Sequence, residues 1–471
     1  MKTIKYLLVL IYALIFLTGS SYAQFDSTKL NLEGNWLGTL EFSGVQLRIV
    51  FNIKKSSTGY SATLDSPDQG AKDIPTENVT LNGNNLKIDA PSIHGSYSGV
   101  YIPDSSYFSG TWIQGGQSLP LSIKRTTKTI ELNRPQEPVK PYPYNEEEVT
   151  YENKESGITL SGTFAYPRVG NSFTAVLLIP GSGAHNRDEE VFEHKPFLVL
   201  SDYLTRHGIA VLRYDDRGVG KSTGDFSSAN TMDLASDALA GVKYLSTRKD
   251  VKKIGLIGHS EGGIIAPIVA NESKNVSFIV LMAAPGIPSD KLLLQQAYLI
   301  GKGSGEDEDM LGKTNQLNQK IFNIIKTESD SLKDWDNIKV VADDFYNKLS
   351  EQKRKEIGDA KIFENQLKPV MTKWFRYFIK YNPSYELEKL KCPVLAINGS
   401  KDVQVPANEN LAAIKNALTK GGNKSFKIIE IDGLNHLFQT AATGLPSEYA
   451  KISETISPKA LDIISNWVSK K

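Results

Sequence analysis

The chain has 471 residues, of which 40% are hydrophobic and 23% are charged, and its formal net charge at pH 7 is +1. This length exceeds one ordinary core, so two or three domains are expected. The composition is typical of a globular protein and excludes a disordered or fibrous chain. The near-neutral charge gives no reason to expect nucleic acid as a partner.

Residues 1–23 have the pattern of a cleaved signal peptide. Lys2 and Lys5 form a basic start, residues 6–17 form an apolar run, and Ser21-Tyr22-Ala23 is a small-x-small cleavage site. The apolar run is shorter than the roughly 20 residues that span a bilayer. We therefore expect export to the periplasm or the extracellular space, with no stable membrane span after cleavage.

Residues 30–126 show an all-β pattern. Alternating runs such as Gln46–Ile53 and Asn85–Ile88, without helical periodicity between them, predict a small antiparallel barrel or sandwich. The segments Gly34-Asn35-Trp36 and Gly110-Thr111-Trp112 resemble the glycine-x-tryptophan signatures of lipocalin-like barrels. The resemblance implies an accessory β domain, whose ligand the sequence does not indicate.

Residues 127–145 are predicted to be a linker, because four prolines fall within Arg134–Tyr144. From residue 146 to residue 471 strands alternate with helices, which predicts an α/β domain with a doubly wound, mostly parallel sheet. Residues 286–390 have helical spacing and are expected to form a cap inserted into that domain. The buried strands are expected at six apolar runs: Ala175–Ile179, Ile209–Leu212, Ile254–Ile257, Phe278–Met282, Val394–Ile397 and Lys427–Ile431.

Ser260 is the candidate nucleophile. It lies in Gly258-His259-Ser260-Glu261-Gly262, which fits G-x-S-x-G and stands between an apolar strand pattern and a helix-compatible run. Glycines at minus two and plus two suit a sharp strand-to-helix turn that leaves little room around the serine. His259 is expected to point away from Ser260.

A serine nucleophile needs a base to take its proton and a carboxylate to orient that base. Asp402 and His436 each follow a predicted strand, and the order Ser, Asp, His is that of α/β-hydrolases. Asp432 and Glu430 are competing acids, but Asp402 has the better position at a strand end. The predicted catalytic residues are therefore Ser260, Asp402 and His436.

From about Val149 to the C-terminus the chain resembles the α/β-hydrolase superfamily. The resemblance implies an oxyanion hole made by the backbone N–H groups of Ser182 and Glu261, with Gly181 as the alternative to Ser182. Tyr214–Ser222 also resembles a loop of this superfamily and suggests glycine turns with a structural Arg-carboxylate pair.

Nucleotide, metal and thiol chemistry are not predicted. Asp215 stands where a P-loop that ends in Gly220-Lys221-Ser222 needs its first glycine. No histidine-carboxylate spacing suits zinc, so no metal and no cofactor is expected. Cys392, the sole cysteine, cannot form an intramolecular disulfide and lies in an apolar run that favours burial.

Acyl transfer by a serine hydrolase is the expected activity, with a carboxylic ester or another small acyl compound as substrate. The carboxylesterase resemblance favours esters. A dipeptidyl- or acylaminoacyl-peptidase-like activity is the alternative, because the catalytic half also resembles the prolyl oligopeptidase group, although the β region is too short for a propeller. A non-catalytic binding protein is the third possibility. The sequence gives neither the natural substrate nor the oligomeric state.

Overall fold

A computed structural model describes residues 30–471 apart from 43–44, 58, 70, 115–116, 128–132, 328–330 and 358. The chain forms two compact units that divide between Asn133 and Arg134. The expected signal peptide lies outside the described residues. Within the part of the chain that the structure describes, no helix is long and apolar enough to cross a membrane.

The N-terminal unit is a single antiparallel sheet of nine strands in the order β4-β3-β2-β1-β9-β8-β7-β6-β5. Strands β3 and β5 also contact each other, so the sheet is nearly closed. The strands are β1 (Gly34–Phe42), β2 (Val45–Ser56), β3 (Gly59–Ser66), β4 (Ala71–Pro75), β5 (Glu77–Asn82), β6 (Asn85–Ala90), β7 (Gly95–Ile102), β8 (Tyr107–Gln114) and β9 (Gln117–Thr126). The predicted all-β domain is confirmed.

Large aromatic side chains fill the interior of this nearly closed sheet. Trp36, Phe51, Tyr97, Phe108 and Trp112 are each at most 2% exposed. Edge-to-face packing of Trp36 on Phe108, with ring centroids 5.1 Å apart, joins β1 to β8, the two strands on either side of β9. These rings form a packed core of the kind that small barrels use to fill their interior.

The C-terminal unit is the predicted α/β domain, with an eight-stranded sheet in the order β10-β11-β13-β12-β14-β15-β16-β17. Its strands are β10 (Asn145–Asn153), β11 (Ile158–Tyr166), β12 (Phe173–Ile179), β13 (Ala210–Tyr214), β14 (Val251–His259), β15 (Val276–Met282), β16 (Val394–Gly399) and β17 (Phe426–Ile431). Its helices are α1 (Pro196–Arg206), α2 (Thr231–Thr247), α3 (Gly262–Glu272), α4 (Ser289–Gly303), α5 (Glu308–Thr327), α6 (Ser331–Lys348), α7 (Glu351–Ile357), α8 (Ala360–Leu367), α9 (Lys373–Phe378), α10 (Ser384–Leu387), α11 (Ala407–Lys420) and α12 (Pro458–Val468).

Strands β12 to β17 pair in parallel, and the six expected apolar runs each lie in or overlap one of them. Strands β10 and β11 form an antiparallel hairpin that joins the sheet through β13. Helices pack on both faces of the sheet and bury two separate apolar clusters. Burial on both faces explains why the parallel strands are continuous apolar runs.

Helices α4 to α10 lie between β15 and β16, in the region where a cap is expected. Several of them share a small apolar core of their own, which includes Leu317, Ile321, Ile325 and Ile338. Phe378 of α9 instead belongs to the apolar core between the sheet and the helices on one of its faces. The insertion is therefore anchored to the α/β core through α9.

Residues 134–144, which the sequence assigns to the linker, pack on the C-terminal unit. Arg134 donates to the carbonyl oxygens of Phe192 and Ala450 at 2.8 and 2.9 Å. The amide of Gln136 donates to the Ile456 carbonyl at 2.7 Å. This stretch fixes the segment that includes Ala450 and Ile456 against the rest of the unit.

Candidate active site

Ser260 stands at a sharp turn between β14 and α3. Its backbone has a φ of +53°, a left-handed conformation that is costly for a residue with a Cβ. A Cβ at Gly258 would come within 2.0 Å of the Gly262 carbonyl, and one at Gly262 within 2.1 Å of the Ile179 carbonyl. The two flanking glycines are thus required by the close approach of backbone, which is the arrangement of a nucleophile elbow.

Asp402 and His436 contact each other although 34 residues separate them. His436 Nδ1 lies 2.8 Å from Asp402 Oδ2, and both residues are at most 5% exposed. The other oxygen of Asp402 accepts the backbone N–H groups of Gln404 and Val405, each at 2.8 Å. An aspartate held in this way fixes the imidazole so that Nε2 is free to act as the base.

The competing acid Asp432 is occupied elsewhere. Its Oδ1 accepts the Ser400 hydroxyl at 3.1 Å. Ser260 and His436 line the same cavity, but within the described chain the Ser260 hydroxyl has no hydrogen-bond partner. In free hydrolases this contact is often long and shortens when substrate is bound. The complete set of Ser260, Asp402 and His436 therefore stays a prediction.

Gly181 is not available as an oxyanion donor, because its N–H donates to Glu189 Oε1 at 2.8 Å. The N–H groups of Ser182 and Glu261 make no hydrogen bond to another described residue. The Ser182 hydroxyl donates to the Glu261 carboxylate at 2.7 Å, which joins the loop after β12 to the residue that follows the nucleophile. The geometry favours Ser182 over Gly181 as the first donor.

The Glu261 carboxylate is 1% exposed and forms a junction of three elements. Besides Ser182 it accepts the Thr231 hydroxyl at 2.7 Å and the Trp374 indole N–H at 2.9 Å. Burial raises the pKa of Glu261, although these three donors pull in the opposite direction. Trp374 belongs to α9, so this carboxylate connects the cap insertion to the nucleophile elbow.

A cavity of about 420 Å³ opens above Ser260. Apolar side chains dominate its walls, among them Leu292 and Leu293 of α4 and Trp374 and Phe378 of α9. Among the described lining residues there is no lysine or arginine. Such a cavity suits an uncharged ligand with an apolar group.

His259, the residue before Ser260, has partners that the sequence did not indicate. Its Nδ1 lies 2.9 Å from Glu189 Oε1 and its Nε2 lies 3.0 Å from the backbone oxygen of His436. Glu189 is 3% exposed. It stands in Asp188-Glu189-Glu190, a stretch with no motif, so only the folded chain could reveal its role.

The loop after β13 is held by two ion pairs. Arg217 pairs with Asp237 of α2 at 2.7 Å, and Asp215 pairs with Arg187 at the same distance. Both pairs are largely buried, in agreement with the structural role that the sequence suggests. The described residues include no group of three or more histidine, cysteine or acidic side chains placed to hold a metal ion. Cys392 is half-buried, and burial raises the pKa of its thiol to about 11.

Comparison with known proteins gives matches to a peptidase family model, to an esterase and to an acyl transferase. Residues 192–304 match the family model described as serine aminopeptidase, S33. Esterase EstD of Thermotoga maritima is 26% identical over 356 residues, which are 75% of this chain and 74% of that protein. An acyl transferase of Shewanella woodyi is 29% identical over 36% of this chain and 54% of its own length.

Among solved structures, the esterase Pf2001 of Pyrococcus furiosus aligns with a TM-score of 0.41 and 18% identity over 72% of this chain and 99% of that one. Est1E of Butyrivibrio proteoclasticus, solved with ferulic acid bound, aligns with a TM-score of 0.39 and 17% identity, over 68% of this chain and 96% of its own. The sheet order, the elbow at Ser260 and the family match together identify the C-terminal unit as an α/β-hydrolase fold, in a chain that is a hydrolase.

Proposed function

We propose that the chain is an exported carboxylic-ester hydrolase that works through an acyl-enzyme on Ser260. The observation that carries the proposal is the arrangement around one apolar cavity: a strained serine, a histidine held by a buried aspartate, and two N–H groups with no acceptor among the described residues. Esterase EstD, the similar protein that spans three quarters of this chain, supports the ester substrate.

In the proposed reaction Ser260 attacks the ester carbonyl while His436 takes the hydroxyl proton through Nε2. Asp402 accepts the Nδ1 proton of the same ring and stabilises the imidazolium that forms. The N–H groups of Ser182 and Glu261 bind the negatively charged carbonyl oxygen. Glu261 lies at the N-terminal end of α3, where the helix dipole also favours negative charge. His436 then protonates the leaving alcohol, and water releases the acyl group by the same steps in reverse order.

The lining of the cavity supports an uncharged acyl group. Glu189 and Glu261, its two buried carboxylates, already accept hydrogen bonds from the protein. The lining has no described lysine or arginine that could pair with an acidic acyl group. The ring of His259, which also lines the cavity, already contacts Glu189, so an anion brought into the cavity would lose its hydration without gaining a new cationic partner.

A peptidase is the second candidate, because the matching family model carries the description serine aminopeptidase. The two activities separate on one substrate panel. We expect the purified chain to hydrolyse p-nitrophenyl acetate and butyrate and to leave aminoacyl p-nitroanilides unchanged. Preferred cleavage of the anilides would support the peptidase, and no turnover of either class by folded protein would support a binding protein.

Export is part of the proposal and rests on the N-terminal pattern of residues 1–23. N-terminal sequencing of protein secreted from a bacterial host should begin at Gln24 if the site after Ala23 is used. Protein that retains Met1 in the cytoplasmic fraction would contradict this part of the proposal.

A further inference from the structure

His259 immediately precedes the proposed nucleophile and yet takes no part in the proposed proton transfers. It is 7% exposed and lies at the end of β14, with its ring centroid 4.9 Å from that of His436. Nε2 is within hydrogen-bond distance of the backbone oxygen of His436, which can only accept. Nδ1 is within the same range of a carboxylate oxygen of Glu189, which can only accept when Glu189 is ionised. A neutral imidazole has one N–H and can satisfy only one such acceptor.

We propose that His259 is a positively charged positioning residue, which holds the base His436 and the loop that carries the oxyanion donor Ser182 in register with the nucleophile. This rests on the proposed function. The ring donates through Nε2 to the His436 carbonyl and through Nδ1 to Glu189, and Glu189 in turn accepts the N–H of Gly181. One side chain thus joins the nucleophile elbow to the loop after β12 and to the loop after β17.

The charge is compensated within the protein. Glu189 forms an ion pair with His259 at 2.9 Å, with both side chains at most 8% exposed. Burial opposes a charged ring, but the charge and the hydrogen bond of Glu189 outweigh it and raise the pKa of His259. In the same way, burial of Glu189 is outweighed by His259, which keeps the pKa of that carboxyl below its usual value. The other ionisable groups that face the ring are His436 and Asp402.

Loss of either contact has a defined geometric result. Without the N–H at Nε2, the His436 carbonyl has no donor from His259, and the loop that presents the base is free to shift. Without the carboxylate of Glu189, Gly181 loses its acceptor, and the neighbouring Ser182 N–H is no longer held towards the oxyanion. Misplacement of a reacting group by about 1 Å can cost about 100-fold in rate.

Two isosteric variants separate these contacts. The amide nitrogen of glutamine lies near Nε2 of histidine and that of asparagine lies near Nδ1, so His259→Gln keeps the donor to His436 and His259→Asn keeps the donor to Glu189. We expect kcat for p-nitrophenyl acetate to fall about 10-fold in His259→Gln and about 100-fold in His259→Asn, with KM within about twofold of the unmodified enzyme.

Asp237→Asn is the matched control, because it disrupts a different buried ion pair, with Arg217, outside the cavity lining. It should lower the melting temperature and leave kcat at 25 °C unchanged. The proposal is overturned if the two His259 variants lose no more kcat than this control, or if His259→Asn retains as much as His259→Gln.

Histidine-selective 15N NMR tests the charge directly and does not depend on catalytic activity. At pH 7.5 ordinary histidines are mostly neutral, so one ring with the two-proton cationic signature is expected, and it should be absent from His259→Gln. A spectrum in which every ring is neutral would overturn the proposal. Inactive wild-type protein that still shows the cationic ring would instead count against the ester hydrolase.

Discussion

At the scale of single residues, Ser260 bears the main catalytic claim. Ser260→Ala should fold normally and lower ester turnover by about 10³-fold or more, because the covalent step disappears while the oxyanion donors remain. His436→Ala should behave in the same way. Asp402→Asn should lose less, because its carboxylate orients and stabilises the ring without forming a bond to substrate.

Steady-state kinetics with p-nitrophenyl acetate, together with circular dichroism of each variant, measure this directly. Near-normal turnover by folded Ser260→Ala would refute the nucleophile assignment. An unaffected Asp402→Asn would move the acid role to another carboxylate, with Asp432 and Glu430 as the alternatives.

His194 provides a prediction about stability and pH. It is fully buried, its Nδ1 lies 2.9 Å from the Thr455 hydroxyl, and burial lowers its pKa to about 4. In the unfolded chain this histidine binds a proton as the pH falls below about 6.5, whereas in the folded chain it binds one only near pH 4. The contribution of His194 to the free energy of unfolding is therefore complete above pH 6.5 and is lost as the pH falls towards 4.

We therefore expect the melting temperature of the wild type to fall between pH 7 and pH 5 by a few degrees more than that of His194→Gln. Differential scanning calorimetry at the two pH values gives the comparison. Equal decreases in the two proteins would show that His194 does not contribute to acid destabilisation.

At the scale of secondary-structure elements, α9 connects the cap to the proposed catalytic site. Trp374 both lines the cavity and donates its indole N–H to Glu261, whose carboxylate also holds Ser182. Trp374→Phe keeps most of the ring and removes the donor, whereas Trp374→Ala removes both. The two roles of the side chain can therefore be separated.

Trp374→Ala should raise the activity on long acyl esters relative to acetate, because the cavity is enlarged. Trp374→Phe should keep the wild-type chain-length preference and lower kcat by about tenfold, because Glu261 loses a donor near the proposed oxyanion hole. The ratio of kcat/KM for p-nitrophenyl octanoate and acetate measures the first effect. An equal loss of activity on both esters in Trp374→Ala, with a lower melting temperature, would mean that the Trp374 ring packs without setting the acyl-chain preference.

Elements with strong local patterns could be predicted from the sequence. The parallel strands are continuous apolar runs because they are covered on both faces, and the elbow is marked by glycines that the backbone requires. Strand β10 is not among the predicted strands, because the charged residues of Asn145–Asn153 hide its alternation. The partners of His259 and Glu261 lie 30 to 177 residues away along the chain, so no local pattern could indicate them.

At the scale of the whole molecule, the division into two units predicts which truncations fold. The C-terminal unit begins at Arg134, and the segment 134–144 donates hydrogen bonds to the stretch around Ala450 and Ile456. Tyr449, in the same stretch, lines the cavity. A truncation that starts at Arg134 keeps these contacts, and one that starts at Glu146 loses them.

We expect the protein that starts at Arg134 to fold and to hydrolyse p-nitrophenyl acetate at a rate within about threefold of the full chain, since the unit has its own core. The protein that starts at Glu146 should melt at a lower temperature and lose activity, because the segment that carries Tyr449 is no longer held. Expression and thermal melting of both truncations test this. An inactive but folded protein from Arg134 would show that the β unit is needed for catalysis.

Covalent labelling of Ser260 tests the central claim most directly. A fluorophosphonate probe followed by peptide mass spectrometry should give one adduct, on the peptide that contains Ser260, and the rate of labelling should fall at least 100-fold in His436→Ala. Ser260→Ala should not be labelled. An adduct on a different residue, or labelling of Ser260→Ala at the wild-type rate, would contradict the assignment of Ser260 as the nucleophile.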